Sequence, residues 1–312
     1  MSARLSLLAT AVALAAPVDA ATADTPSTST EAVARPVSPA VGVVGIPAPV
    51  PAETPPAPRS RFTIDPVGDG AILSVSLGFS LLGELVIGTG EIQPQQPTGQ
   101  EHLLGIDRPA IAYGSHSESA LYSDIGVGAV GAYCLADSLL TGHRTDPEAG
   151  FVDGVIYGET AVLTWAMTDL VKVAVRRPRP QAYRDVARHK SDPTYRISKT
   201  DNALSFFSGH TAETAALSSA ATYLAFARDP GGMRPWLTLG AGALATSFVG
   251  WQRVRSGSHF PTDVIAGAMA GAGMGVLVPH FHREATVKER PVWLGMAATP
   301  DGQRLAALTG EF

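Results

Sequence analysis

Residues 263–278 read DVIAGAMAGAGMGVLV, an apolar run in which Gly267, Gly271 and Gly275 recur every fourth position. Glycine inside a helix costs about 1 kcal/mol relative to alanine, so three in register on one face imply a neighbouring helix packed at backbone distance. Five further apolar blocks precede this one, near 70–88, 119–139, 155–175, 211–228 and 235–251. Their lengths and their Ala, Leu and Gly content favour helices over strands. The expected fold class is therefore all-α, a six-helix bundle. Thr211 is expected to open the fourth helix, Pro235 to sit in the first turn of the fifth, and Thr262 to cap the sixth.

The chain has 312 residues, a net charge of -5 and 45% hydrophobic residues. An acidic balance argues against a nucleic-acid partner, which needs a broad basic face. Basic residues gather instead between Lys172 and Arg196, as a pocket for a small anion would require.

Arg4, the apolar stretch Leu5–Ala16 and the small residues around Ala20 and Ala23 read as an export signal over 1–23. Residues 24–60 hold nine of the 24 prolines and little bulky apolar material, the composition of a disordered linker. A helical domain over 61–290 follows. A β-hairpin tail is expected over 291–312, where Thr299-Pro300-Asp301-Gly302 supplies the turn. Cys134 is the single cysteine, which excludes an intrachain disulfide and suits a small core residue.

Whether the bundle crosses a membrane turns on length and charge. The last three blocks offer only 15 to 18 apolar residues, short of the ~20 of a span. Glu84, Glu159, Asp169 and Glu213 fall within or beside the blocks, where lipid would be costly. If the signal is cleaved and all six helices span, the loops after the third and fifth helices face the cytoplasm. A periplasmic or envelope-associated bundle that does not span is the favoured expectation, with an integral membrane protein as the alternative.

Chemistry concentrates in residues 172–263. Lys172 ends an apolar segment, and Pro178 and Pro180 stop the helix, leaving Arg176, Arg177 and Arg179 free to turn inward. Ser208 and Gly209 precede His210 at a helix start, where backbone N–H groups and a hydroxyl can hold an anion. Asp263 follows His259 by four residues, close enough to hold one imidazole nitrogen and leave the other nucleophilic. Arg253 adds a cation six residues before His259. Each string alone fits a bland reading: a helix-terminal cation cluster, a capping turn, a structural His–Asp pair.

Together the patterns K-x6-RP, SGH and R-x5-H-x3-D resemble the type-2 phosphatidic acid phosphatase superfamily, which also holds bacterial acid phosphatases and vanadium-dependent haloperoxidases. The resemblance covers about residues 100–282. It implies a metal-independent phosphatase in which His259 forms a phosphohistidine, Asp263 orients it and His210 is the general acid. Lys172, Arg179, Ser208, Gly209 and Arg253 would bind phosphate. The implied partner is a phosphorylated lipid, an isoprenoid diphosphate or a small soluble ester, with no cofactor. Phe207 and Gln252 depart from the family pattern, where proline and serine are usual. A vanadium haloperoxidase and a catalytically silent cell-envelope module are the alternatives. His280 and His282 form an H-x-H pair that could bind a metal but reads as surface.

Overall fold

The computed structural model describes residues 61–113 and 116–284 and the strand backbones at 293–298 and 304–309. The export signal and the linker lie outside the described residues. Six long helices form the body: α1 (Pro66–Thr89), α2 (Ser117–Arg144), α3 (Pro147–Val175), α5 (Gly209–Arg228), α6 (Arg234–Arg255) and α7 (Pro261–Phe281). A short α4 (Pro180–Arg188) interrupts the long connection between α3 and α5. Strands β1 (Trp293–Ala298) and β2 (Arg304–Thr309) pair antiparallel, Trp293 opposite Thr309.

The helices match the apolar blocks, but their ends differ for identifiable reasons. Ser208, not a residue nearer Thr211, caps α5, so the helix opens on Gly209. Phe260 caps α7 and Thr262 lies inside its first turn. Asp263, at the third helical position, accepts the Phe260 N–H at 2.8 Å, the reach-back bond of a capping box. Pro180, expected only to stop a helix, starts α4, because the first turn has no use for its missing N–H.

Helix α5 is the centre, buried on nearly every side and packed against α2, α3, α6 and α7. The glycine stripe explains the closest of these contacts. A Cβ on Gly271 would stand 2.0 Å from the Ala212 carbonyl oxygen, and one on Gly275 2.1 Å from that of Ala216. Only glycine permits this approach.

The interior is small and polar. Thr160, Thr164, Thr168, Thr211 and Thr214 are buried completely or nearly so. Most of their hydroxyls are absorbed locally, as where Thr160 donates to Ile156 O at 2.7 Å and Thr168 to Thr164 O at 2.8 Å, while the Thr164 hydroxyl has no hydrogen-bond partner. The exterior carries the bulk: Leu81, Leu82 and Leu85 on α1, Leu135 and Leu139 on α2, Trp236, Leu237 and Leu244 on α6, Met269 and Phe281 on α7, all exposed. A water-soluble bundle does the reverse.

This surface supports membrane association. Helices α1, α2 and α7 are long and apolar enough to cross a membrane. The short apolar blocks had understated helix length, because α5, α6 and α7 run on through polar motif residues to 20, 22 and 21 residues. At 1.5 Å per residue each reaches about 30 Å, the thickness of a bilayer core. Of the acidic residues that argued against lipid, Glu159 and Asp169 are buried and Glu213 is half-buried, whereas Glu84 is exposed at the cavity it lines with Glu213. The protein is membrane-associated.

Candidate active site

The up-and-down course of the helices brings the C-terminal ends of α1, α3 and α6 to the same end as the N-terminal ends of α2, α5 and α7. All eight motif residues sit there. Lys172 occupies the last turn of α3, and Arg176 ends that helix in the left-handed conformation at φ 51°. The turn releases Arg177 and then Arg179, which caps α4. Ser208, Gly209 and His210 open α5, Arg253 lies in the last turn of α6, and His259 lies in the short loop before Asp263 on α7.

His259 is buried to 2% exposure. Its Nδ1 stands 2.7 Å from the Ser205 carbonyl oxygen, which can only accept, so Nδ1 carries the proton and Nε2 keeps its lone pair. Burial pushes the imidazole pKa well below its usual value, and the charges of Arg253, Arg179 and Lys172 push it further. The ring is therefore a neutral base with one free nitrogen in a cationic surrounding.

Asp263 does not hold His259 in the way the spacing suggested. Its Oδ2 is 4.0 Å from Nδ1. The carboxylate instead accepts from Ser205 Oγ at 2.5 Å and from Arg177 at 2.5 Å. It thus acts on His259 one step removed, by fixing the residue whose carbonyl holds the ring. Spacing along one chain could not show this, because Ser205 intervenes from 54 residues away.

The cations retain unused donors. Arg179 reaches Asp201 at 2.5 Å through Nη2 and Arg253 reaches Ser123 at 3.3 Å through Nη1, yet Nε of each is buried without a hydrogen-bond partner. Lys172 Nζ lies 3.6 Å from Asp169 and 3.6 Å from the position a Gly209 Cβ would take. A Gly209 Cβ would press on Thr168 Cγ2 at 3.1 Å and meet the lysine only at ordinary contact distance. Ser208 donates or accepts with Thr211 Oγ1 at 2.9 Å, which orients the hydroxyl at the same helix start.

His210 meets Asp124 of α2, Nε2 to Oδ1 at 2.7 Å. It lines a cavity of about 270 Å³ together with Lys172, Gly209, Thr168, Trp165, Val127, Glu84 and Glu213. The polar end of this cavity is motif; the rest is contributed by α1, α2 and the middle of α3. Phe207, where the family pattern has proline, is buried at 5% exposure beside Ser208. Gln252 is buried too.

Sequence reading missed four contributors. Arg177 was only one of three arginines available to turn inward, whereas it bridges Asp107 at 2.7 Å and Asp263, and lies 4.3 Å over the Phe260 ring. Asp107, Asp124 and Ser205 carry no local signal, since their partners are 70, 86 and 54 residues away. Of the histidine pair, His280 meets Tyr223 Oη at 2.9 Å, but His282 is buried rather than on the surface.

A family model described as the PAP2 superfamily matches residues 153–286, from early α3 to just beyond α7, and so contains all eight motif residues. No curated protein matches the chain significantly. Among solved structures, the chain is similar to the first transmembrane PAP2 type phosphatidylglycerolphosphate phosphatase from Bacillus subtilis. Identity is 19%, over 70% of this chain and 96% of that one, with a TM-score of 0.30.

Proposed function

From the match of residues 153–286 to the PAP2 superfamily model we propose a membrane-spanning phosphatase that hydrolyses phosphate monoesters or diphosphates through a phosphohistidine on His259. One observation carries the reading: a neutral imidazole with a free Nε2 is buried among Lys172, Arg179 and Arg253, two of which keep an unpartnered buried donor.

The three cations and the Ser208–Gly209 helix start would hold the nonbridging oxygens and neutralise the charge that builds on them. His259 Nε2 attacks phosphorus in line; the P–N bond forms as the ester P–O bond breaks. The leaving alcohol takes its proton from His210. Water then attacks the phosphohistidine, giving its proton to His210 and releasing inorganic phosphate. Asp124, 2.7 Å from His210 Nε2, fixes the orientation of this ring.

A lipid or isoprenoid phosphate suits the cavity, which joins Val127 and Trp165 to the cationic end. An apolar tail could enter from the bilayer while the phosphate reaches Lys172. In a six-span bundle the site lies on the opposite side from the start of α1, so a translocated segment before α1 and an outward-facing site exclude one another.

The test is His259→Ala, assayed with labelled substrate and quenched without acid. No turnover and no labelled protein are expected. Turnover at the wild-type rate would remove His259 from the mechanism.

A further inference from the structure

At the end of the bundle away from the catalytic groups, three ionisable side chains from three helices meet. Asp69 is in the first turn of α1, Glu159 is on α3, and His282 caps α7. His282 Nε2 is 3.2 Å from Glu159 Oε2 and 3.5 Å from Asp69 Oδ2. One donor atom from each lies within 4.8 Å of the others. None of the three belongs to the catalytic motifs.

The hydrogen-bond pattern of this cluster is unusual. His282 Nδ1 is 2.8 Å from the Val278 carbonyl, which can only accept, so Nδ1 donates there and Nε2 is turned towards two carboxylates. Glu159 is 1% exposed and His282 9%, yet Glu159 Oε1 and His282 Nε2 have no hydrogen-bond partner. Asp69 Oδ2 accepts from the Asp65 N–H at 2.8 Å and keeps further lone pairs. Buried electron-rich atoms facing one another repel unless a positive charge lies between them.

We propose that Asp69, Glu159 and His282 form a binding site for a divalent cation of the zinc class, separate from the catalytic centre. Tetrahedral zinc with bonds of about 2.0–2.1 Å keeps its ligands about 3.3 Å apart. The two measured separations, 3.2 and 3.5 Å, bracket that edge. One imidazole and two carboxylates suit zinc better than calcium or magnesium, which prefer oxygen throughout. The Val278 carbonyl plays the part usual behind a metal-bound histidine, fixing the tautomer that leaves Nε2 free. A cavity of about 420 Å³ lined by Asp69, Glu159 and His282 adjoins the three side chains and admits water as a fourth ligand.

The location gives the ion a task. Phe62 and Arg283 form a β-bridge, and Thr63 N–H donates to His282 O at 2.9 Å, so the chain leading into α1 already lies along the end of α7. A cation shared by α1, α3 and α7 would pin the outermost of these, α1, to the other two.

The competing occupant is a proton on Nε2, giving an imidazolium between two carboxylates. Full-length protein in detergent, stripped with a chelator and titrated with Zn²⁺, separates the two. One Zn²⁺ per chain is expected, with a melting temperature that rises on addition and falls with chelator. Co²⁺ in its place should give the visible absorption of a low-coordinate site. His282→Gln and Glu159→Gln should each weaken Zn²⁺ binding at least about tenfold, the lower bound for loss of even an outer-shell partner. Absence of stoichiometric binding and of a thermal shift in the wild type would overturn the site, whatever the variants do. Unchanged binding in both variants would place the ion elsewhere and overturn it equally. Neither outcome bears on the phosphohistidine, which is read by labelling.

Discussion

Removing the guanidinium of Arg177 should disable the enzyme without touching a phosphate-binding group. Arg177 donates to Asp107 at 2.7 Å, to Asp263 at 2.5 Å and to Thr262 at 2.8 Å, and both carboxylates are fully buried. Burial alone would lower its pKa, but the two aspartates outweigh that and hold it above the usual value. Arg177→Ala leaves two buried carboxylates without their cation. Breaking such a pair costs about 3–5 kcal/mol. With the Arg177 side chain 20% exposed, water can reach the gap, so the lower end, about 3 kcal/mol, is expected.

The kinetic consequence follows from what Asp263 holds. Its carboxylate fixes Ser205 Oγ, and the Ser205 carbonyl fixes His259. A displacement of about 1 Å at the nucleophile costs about 100-fold in rate. Arg177→Ala should therefore lower kcat about 100-fold while KM changes little, because these donors serve the protein and not the substrate. Arg177→Lys restores charge but not the fork, and should recover only part. Asp107→Asn added to Arg177→Ala should recover some stability, since one orphaned charge goes with it. The measurements are kcat and KM on a soluble ester and thermal unfolding in detergent. Wild-type kcat and melting temperature in Arg177→Ala, or a defect confined to KM, would refute this chain of support.

Gly271→Ala should destabilise the bundle by about 1–3 kcal/mol or more, because the new methyl meets the Ala212 carbonyl at 2.0 Å and backbone cannot yield as a side chain can; a thermal melt reads it. The nucleophile should stay deprotonated well below pH 6.5, since burial and three cations depress the His259 pKa. In kcat/KM against pH, any acid limb from His259 should fall well below 6.5 and move upward in Arg253→Gln; a wild-type His259 limb at 6.5 or higher contradicts the site electrostatics. Asp124→Asn should slow release of a poor alkyl leaving group more than of nitrophenol, and by less than the about 10²- to 10⁴-fold of losing a general acid. Equal slowing of both esters would separate Asp124 from proton transfer. Trp165→Ala should reduce kcat/KM for a lipid phosphate more than for a soluble ester, as the cavity wall it supplies touches only a long substrate.

Local features of this chain were legible where one segment contains both cause and effect. The glycines of α7 announce a close neighbour, and the apolar blocks locate six helices. The eight motif residues announce themselves because each string pairs a charge with a helix terminus. What pairing across the fold decides was not legible. Asp107 and Thr262 are 155 residues apart, and no spacing rule spans that distance. The role of Asp263 was misread for the same reason: its nearest histidine in sequence is not its hydrogen-bond partner. Helix α4 went unseen because Pro180 can stop a helix or start one, and only the chain beyond it chooses.

Membrane association was hard to read from the sequence for a different reason. Acidic residues were counted by position along the helices, but a bundle partitions charge by face. Glu159 and Asp169 lie on buried helix faces. Once they are placed inside, bulky residues have no interior left to fill, because threonine, alanine and glycine already bring the helices to backbone contact. Leucine, tryptophan and phenylalanine are thereby driven outward. The inward-facing charges and the apolar exterior are thus two results of one cause, small residues at the helix contacts. An interior that already accepts polar groups is also what lets a neutral histidine lie buried beside three cations.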